Sequence, residues 1–144
     1  MSAKVSLVTA GGRRVGAAIV RELHAAGDNV IIHCRTSEVE AQALCASLNQ
    51  LRPDSAEVLK ADLAKVSEIE TLVASAVDRW GRLDALVNNA STFYATSVGS
   101  IGEAEWNDLL GVNLKAPFFL AQSAKPALSR AKGAIVNIVD IYAE

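Results

Sequence analysis

The chain has 144 residues, of which 51% are hydrophobic and 21% charged, a composition typical of one globular domain with a sizeable core. Its formal net charge of −2 excludes a general electrostatic attraction to nucleic acid or to an anionic membrane. No apolar run reaches the ~18 residues of a membrane helix and the N-terminus lacks a signal-peptide pattern, so we expect a cytoplasmic protein that binds neither.

Short, often β-branched segments alternate along the chain with longer segments of helical period. The predicted strands are residues 5–8, 30–32, 56–59, 83–87 and 134–139. Such alternation predicts an α/β fold, a doubly wound parallel sheet of Rossmann type with strand order 3-2-1-4-5. We expect residues 1–144 to form a single dinucleotide-binding domain whose sheet is incomplete at its C-terminal edge.

The predicted helices carry recognisable faces and ends. The first has an apolar face of Val15, Ala18, Ile19, Leu23 and Ala26 and ends at Gly27. The third has a face of Ile69, Leu72, Val73, Ala76, Val77 and Trp80 and ends at Gly81. Three Ser-x-x-Glu pairs, which begin at Ser37, Ser67 and Ser100, predict capping boxes.

The cysteines and histidines show neither a disulfide framework nor the spacing of a metal site. Cys34 and Cys45 lie in apolar patterns, so we expect buried free thiols and no bound metal. His24 is predicted on a helix surface. His33 lies near the sheet edge where a cofactor would bind, and its role stays open.

A glycine-rich segment joins the first predicted strand to the first helix. Small residues there allow backbone N–H groups and the helix N-terminus to approach a pyrophosphate. The strict G-x-G-x-x-G pattern is not present, so a turn required only for tight strand–helix packing is the alternative. The candidate cofactor-binding residues of this segment are Gly11, Arg13, Arg14, Val15 and Gly16.

The end of the second predicted strand indicates which dinucleotide is bound. NAD-binding domains place an acidic residue there to accept a hydrogen bond from the ribose hydroxyl. In this chain the first acidic residue after the second predicted strand is Glu38. Arg35 can instead form a fork on a 2′-phosphate, with Thr36 and Ser37 as hydroxyl donors and Arg13 nearby. The pattern therefore predicts NADPH. In the alternative, Arg35 is a solvated loop charge and Ser37 only a helix cap.

Further motifs give the whole chain a resemblance to the short-chain dehydrogenases/reductases. Asn88-Asn89-Ala90 closes the fourth predicted strand, as in that family, and Asn113 matches the helix asparagine of the family's proton-relay tetrad. Pro117 cannot donate to the carbonyl of residue 113, which leaves that oxygen free to hold a water. The alternative for Asn113 is a buried helix kink. The resemblance implies further cofactor contacts from Asp62, Leu63, Asn89, Ala90, Ser91 and Val139.

Within the family, the details resemble the pteridine reductases. Arg14 stands where most relatives have the middle glycine of the phosphate loop, and the resemblance implies contacts with both cofactor and pterin. Ser91 and Phe93 follow Asn-Asn-Ala, and Phe93 would stack on the pterin. The alternative for Phe93 is a loop hydrophobe that covers the core. Asp140 replaces the usual catalytic serine, which implies substrate binding and catalysis.

The resemblance implies NADPH-dependent reduction of a pterin, of the dihydrobiopterin, dihydromonapterin or dihydrofolate class, by hydride transfer to a ring C=N. The family's Tyr-x-x-x-Lys would follow Asp140, but this sequence has none, so we expect the chain alone to be inactive. We also expect a homo-oligomer, dimer or tetramer, through the helical region 106–130. The alternatives are a reductase of a carbonyl substrate (acyl thioester, sugar or ketone) and a non-catalytic dinucleotide-binding protein.

Overall fold

Five short apolar strands form one parallel sheet in the computed structural model, which describes residues 2–139. The sheet order is β3-β2-β1-β4-β5, which confirms the predicted order. Side chains that alternate along each strand enter the core on opposite faces of the sheet. The strands are β1 Val5–Val8, β2 Asn29–Cys34, β3 Ala56–Lys60, β4 Ala85–Asn88 and β5 Ala134–Asn137.

Helices cover both faces of the sheet. On one face α3 and α5 pack with Leu7 and Leu86, and on the other α1 and α2 pack with Val8 and Ile32. A π-helical turn, Gly111–Lys115, joins α4 directly to α5. The helices are α1 Arg14–Ala25, α2 Glu38–Leu51, α3 Val66–Trp80, α4 Glu103–Leu110 and α5 Ala116–Ala131.

The C-terminal edge of the described sheet is poorly covered. β5 pairs with β4, and all four β5 residues are exposed to solvent. Its parallel neighbour β4 is largely buried and β1, the next strand along, is fully buried, as strands of an α/β sheet usually are.

Three predictions about helices were wrong: the apolar face of α1, the surface position of His24 and the capping boxes. The buried residues of α1 are Gly16, Ala17, Val20 and His24, so the helix is rotated from the predicted face, and Val15 is exposed. The prediction of the α1 face counted only large apolar side chains, whereas small residues and a hydrogen-bonded histidine decide which face is buried. Small residues let α1 approach the sheet closely, and the buried His24 is paired with Ser55, 2.7 Å from Nε2 to Oγ.

The three predicted capping boxes do not form. α2 begins after Ser37 with no side-chain cap, and α3 begins after Lys65 rather than Ser67. α4 begins after Gly102, whose N–H donates to the Glu105 carboxylate at 2.9 Å. Gly81 does end α3, with a left-handed φ of 74°, and both cysteines are buried free thiols as predicted. Within residues 2–139 no helix combines the length and apolarity needed to cross a membrane.

Candidate functional site

A cavity of about 160 Å³ lies at the carboxyl edge of the sheet, where the chain order reverses around β1. In open α/β folds this crevice is where ligands bind, because loops diverge there to either side of the sheet. Most of the predicted cofactor-binding side chains converge on it. The lining residues are Ala10, Arg13, His33, Arg35, Thr36, Ser37, Asp62, Leu63, Ala90, Ser91, Thr92 and Val112.

One wall of this cleft is basic and rich in hydroxyl groups. Arg35 follows β2 directly and is exposed, and it has no ion-pair partner within residues 2–139. Arg13 lies 3.7 Å from Glu40, an exposed pair that is worth little in water. Both guanidinium groups, together with the hydroxyls of Thr36 and Ser37, can therefore bind an incoming anion.

The opposite wall begins where β3 ends. Asp62 Oδ1 accepts from the N–H of Ala64 at 3.1 Å, and the N–H of Asp62 donates to Glu68 at 2.6 Å. The hydrogen bond from Lys65 holds the pKa of Glu68 below its usual value, so Glu68 stays ionised as an acceptor. The second carboxylate oxygen, Oδ2, lies 3.9 Å from the exposed Nζ of Lys65, and both Asp62 and the buried Leu63 line the cleft.

The phosphate loop, residues 9–16, depends on close backbone contacts rather than on an open glycine turn. A Cβ on Gly11 would lie 3.0 Å from the carbonyl oxygen of Val8, and one on Gly12 would lie 3.1 Å from the Cβ of Ala41. Both glycines face inward, so packing explains them. The left-handed positions of the loop are instead Ala10, with φ 49°, and Arg14, with φ 48°. Arg14 projects at the start of α1 and is exposed.

Asn89 binds protein rather than lining the cleft. Its side-chain Nδ2 donates to the carbonyl of Thr9 at 3.0 Å, and its own N–H donates to the Thr9 hydroxyl at 2.9 Å. The same hydroxyl accepts from the N–H of Ala90 at 2.9 Å. This network ties the end of β4 to the end of β1 and so shapes the cleft. Thr9 was missed in the sequence, because its role depends on contacts with residues 80 and 81 positions away.

Asn113 fixes the loop that follows β4. Its Oδ1 accepts from the N–H of Thr92 at 2.9 Å, and its Nδ2 donates to the Thr92 carbonyl at 2.7 Å. Asn113 is exposed, so it is not buried as the alternative required, but it does lie in a helix irregularity, the π-helical turn. The N–H of Ala116 donates to the carbonyl of Gly111, five residues back, so the turn that contains Asn113 has the register of a π-helix. A catalytic role for Asn113 stays a prediction.

Phe93 lies beyond Thr92 on the same loop and is 89% exposed. It therefore covers no core among residues 2–139, which contradicts the alternative that it is a core-covering hydrophobe. Val15 and Val139 are also exposed and do not line the cleft. The predicted catalytic and substrate-binding residue Asp140 lies outside the described residues.

His33 is the principal residue whose role the sequence left open. It is nearly buried at the end of β2, yet it contributes to the cleft wall. Its Nδ1 lies 3.1 Å from the backbone nitrogen of Ala10, and its Nε2 lies 3.0 Å from the carbonyl oxygen of Ala61. Burial lowers the pKa of the imidazole, opposed by the hydrogen bond to Ala61, and Arg35 lowers it further. The ring is thus a neutral bridge across the base of the cleft.

The amino-acid sequence also matches a known protein family. The family described as short chain dehydrogenase matches residues 4–143. The chain belongs to this family.

Several members of the short-chain dehydrogenase family are similar along nearly the whole chain. Pteridine reductase 1 of Leishmania tarentolae is 36% identical, with 96% of this chain and 61% of the relative covered. A 3-oxoacyl-[acyl-carrier-protein] reductase of Staphylococcus aureus is 32% identical, with 96% and 56% covered. The crystal structure of a blue fluorescent protein from a metagenomic library, in complex with NADPH, superposes with a TM-score of 0.90 at 33% identity, with 96% and 56% covered.

This short-chain dehydrogenase sequence spans a little over half the length of those relatives. Eight of the residues predicted to bind the cofactor line the cleft. Gly11, Gly16 and Asn89 do not line it, but they pack against or hydrogen-bond to the backbone at the end of β1 and the start of the loop that follows. The cleft residues missed by sequence analysis are Ala10, Thr92 and Val112, which have no distinctive chemistry of their own. The eight predicted residues that line it are Arg13, Arg35, Thr36, Ser37, Asp62, Leu63, Ala90 and Ser91.

Proposed function

We propose that this chain is the NADPH-binding part of a reductase. The observation that carries the proposal is that Arg13, Arg35, Thr36 and Ser37 all line the cleft, with no acid between the end of β2 and Glu38. A 2′-phosphate needs cationic and hydroxyl donors, which these residues supply, whereas a ribose hydroxyl would need an acceptor there. The NADPH complex of the similar metagenomic protein supports the same choice.

The residues of the cleft fit such a cofactor along its length. Arg35, Thr36 and Ser37 would hold the 2′-phosphate, and the N-terminus of α1 would face the pyrophosphate. Asp62 and Leu63 would flank the adenine, and Ala90 and Ser91 would lie towards the nicotinamide end. NADPH supplies a hydride when it is bound. The chain's own contribution is to orient the cofactor and to exclude water along the buried base of the cleft.

The substrate in this proposal is a pterin. Phe93 is an exposed aromatic ring next to the cleft residues Ser91 and Thr92, and a flat heterocycle is a natural stacking partner for it. Arg14 is exposed at the start of α1 and offers a cation to the polar edge of the pterin. The 36% identity to a pteridine reductase supports this substrate class over a carbonyl compound. Asp140 would bind substrate and assist proton transfer beside the family's tyrosine.

Oligomerisation belongs to the same proposal. The outer side of α4, the π-helical turn and α5 exposes three large apolar side chains, Trp106, Leu114 and Phe118, each more than 60% accessible. Exposed apolar patches of this kind mark interaction surfaces. We expect Phe118→Glu to dissociate a homodimer or homotetramer of the full-length protein in sedimentation experiments. An unchanged mass would contradict this interface.

The cofactor assignment is tested by Arg35→Ala in the full-length protein, with Arg21→Ala on the exposed side of α1 as the control. Loss of charge-assisted hydrogen bonds should weaken NADPH binding by roughly 10- to 100-fold. NADH, which lacks the 2′-phosphate, should be affected by less than about threefold. Nucleotide fluorescence titration measures both constants. Equal weakening of the two nucleotides would contradict the assignment.

The substrate class is tested separately by turnover. The full-length protein should oxidise NADPH in the presence of a dihydropterin and show little activity with a panel of ketones, sugars and acyl thioesters. The reverse preference would identify a carbonyl reductase instead. Tight NADPH binding with no turnover of either class would favour a non-catalytic dinucleotide-binding protein.

A further inference from the structure

Two consecutive amide groups of the phosphate loop are held by a single residue. The N–H of Ala10 donates to the ring Nδ1 of His33 at 3.1 Å, and the N–H of Gly11 donates to the backbone carbonyl of His33 at 2.9 Å. The start of the loop is therefore held against the end of β2. The first amide groups of α1, which follow this segment, lack intrahelical partners.

The two ring contacts fix the protonation state of His33. Ala10 offers an N–H, so Nδ1 must accept and carries no proton. Ala61 offers a carbonyl oxygen, so Nε2 must donate and carries the proton. Only the neutral Nε2–H tautomer satisfies both contacts, because an imidazolium has no acceptor. The ring thereby links the phosphate loop to the end of β3, immediately before the cleft residue Asp62.

Ala10 makes this contact in an unfavourable conformation. Its φ of 49° lies in the left-handed region, which a residue with a Cβ adopts only at a cost. Something in the surrounding structure must hold it there. The bond from its N–H to Nδ1 of His33 is a side-chain contact that does so, and the ring that accepts it is almost completely buried.

We infer that His33 is a positioning residue for the cofactor: its neutral ring holds Ala10, and with it the phosphate loop, in the conformation that receives the NADPH pyrophosphate. This inference rests on the proposed NADPH site and adds a residue to it. His33 acts through the loop, and its ring touches the protein on both sides. Protonation of the ring would remove the acceptor for the N–H of Ala10 and loosen the start of the loop, which the bond from Gly11 to the His33 carbonyl would still hold.

The charges around His33 favour the neutral ring. Arg35 continues from its own strand, Arg13 approaches from the phosphate loop, and Asp62 is the facing acid at the end of β3. Burial lowers the pKa of His33 as the largest effect, and Arg35 lowers it further. The ring is therefore neutral at physiological pH and gains a proton only below its ordinary pKa of about 6.5. Cofactor affinity should fall over the same acidic range.

Two substitutions separate the ring contacts. His33→Asn places an amide oxygen near the position of Nδ1 and keeps the acceptor for Ala10. His33→Gln places its amide near the position of Nε2 and keeps the donor to Ala61, but loses the Ala10 contact. In the full-length protein at pH 8, we expect His33→Gln to bind NADPH roughly 5- to 10-fold more weakly than wild type. His33→Asn should bind within about threefold of wild type.

The pH profile distinguishes positioning from a merely structural role. Wild-type affinity should fall steeply in acid, whereas His33→Asn should keep only the shallow loss caused by protonation of the NADPH 2′-phosphate. Equal affinities of the two variants at pH 8, with acid profiles like that of wild type, would overturn this inference alone. Absence of NADPH binding by wild type at pH 8 would overturn both this inference and the proposed function.

An NMR titration of the histidines in the unmodified protein tests the inference even if the variants do not fold. Linkage requires that a ligand whose binding is weakened by protonation of His33 also lowers the pKa of that ring. The chain contains only two histidines, so their imidazole NMR signals are easily assigned. Saturating NADPH should lower the pKa of His33 and leave that of His24 unchanged. An unchanged pKa of His33 would overturn the inference.

Discussion

Gly16 packs against the backbone of Ala10 so closely that a Cβ at position 16 would lie 2.2 Å from the Ala10 carbonyl oxygen. The same Cβ would lie 2.7 Å from Nδ2 of Asn89. Because one of these neighbours is backbone, the clash cannot be relieved by a side-chain rotation. The first turn of α1 is thus in van der Waals contact with the phosphate loop, and position 16 has no space for a residue larger than glycine.

Gly16→Ala should therefore displace the phosphate loop. We expect a loss of stability of about 1–3 kcal/mol, as for other overpacked sites, and NADPH binding weakened by at least tenfold. Chemical denaturation and fluorescence titration measure the two effects. Gly111→Ala is the matched control, because a Cβ there meets nothing within 4 Å. Wild-type cofactor affinity in Gly16→Ala would contradict the close packing described for this turn.

Ala10→Gly should act in the opposite direction. The left-handed φ of Ala10 costs about 1–2 kcal/mol with a Cβ present, whereas glycine adopts it freely and loses only ~0.5–1 kcal/mol to chain entropy. We expect a net gain in stability of up to about 1 kcal/mol, measured by urea denaturation. Ala64→Gly, at an exposed turn position without a positive φ, should be destabilising. A loss of stability in Ala10→Gly would contradict the strain assigned to this position.

The stability of the chain should decline in mild acid because both histidines are buried. Burial, and then Arg52, lower the pKa of His24, and burial is also the largest effect on His33. The unfolded state therefore binds more protons, and stability that is complete above about pH 6.5 is lost as the pH falls below that value. Each histidine contributes at most ~1.4 kcal/mol per pH unit.

His24→Gln tests this dependence. The amide keeps a donor for the hydroxyl of Ser55 but does not titrate. Between pH 7 and 5, the free energy of unfolding of His24→Gln should vary less steeply than that of wild type. Parallel curves for the two proteins would show that His24 does not contribute. Stability that rises in acid would contradict the direction of both pKa shifts.

Phe93→Ala should affect substrate and not cofactor. Phe93 is 89% exposed, so its removal leaves no cavity and the protein should keep its stability. Loss of stacking on a pterin should raise KM by roughly 3- to 10-fold in the full-length enzyme, with NADPH affinity unchanged. Val98→Ala, a fully exposed apolar residue on the same loop, is the control. A KM for the pterin that does not change would argue against substrate stacking by this ring.

The order of the strands was predictable from the sequence, whereas local details of the helices were not. Parallel strands and their crossover helices follow from the alternation of short β-branched and longer periodic segments, which involves most residues of the chain. The residue at which a helix begins depends instead on a few hydrogen bonds between the preceding loop and the first turn of the helix. The N–H of Asp62 donates to the carboxylate of Glu68. The helix α3 begins at Val66, and the hydroxyl of Ser67 does not cap it.

Some residues of the candidate site were likewise predictable from the sequence and others were not. Arg35, Thr36 and Ser37 were predictable because charged and hydroxyl groups at a strand end have distinct chemistry. The roles of Thr9 and His33 were not, since they depend on contacts with residues at least 23 positions away, Asn89 and Ala10. Such contacts exist only once the sheet is assembled. Asn113 was singled out for its main-chain carbonyl, yet its side chain holds Thr92 through two hydrogen bonds.

The most direct test of the central claim is a comparison of NADPH and NADH binding by the unmodified full-length protein. Titration of nucleotide fluorescence at pH 8 and low ionic strength yields both dissociation constants. Because Arg35, Thr36 and Ser37 line the wall where a 2′-phosphate would bind, we expect NADPH to bind at least about tenfold more tightly than NADH. Equal affinities, or tighter binding of NADH, would contradict the assignment of this cleft to NADPH.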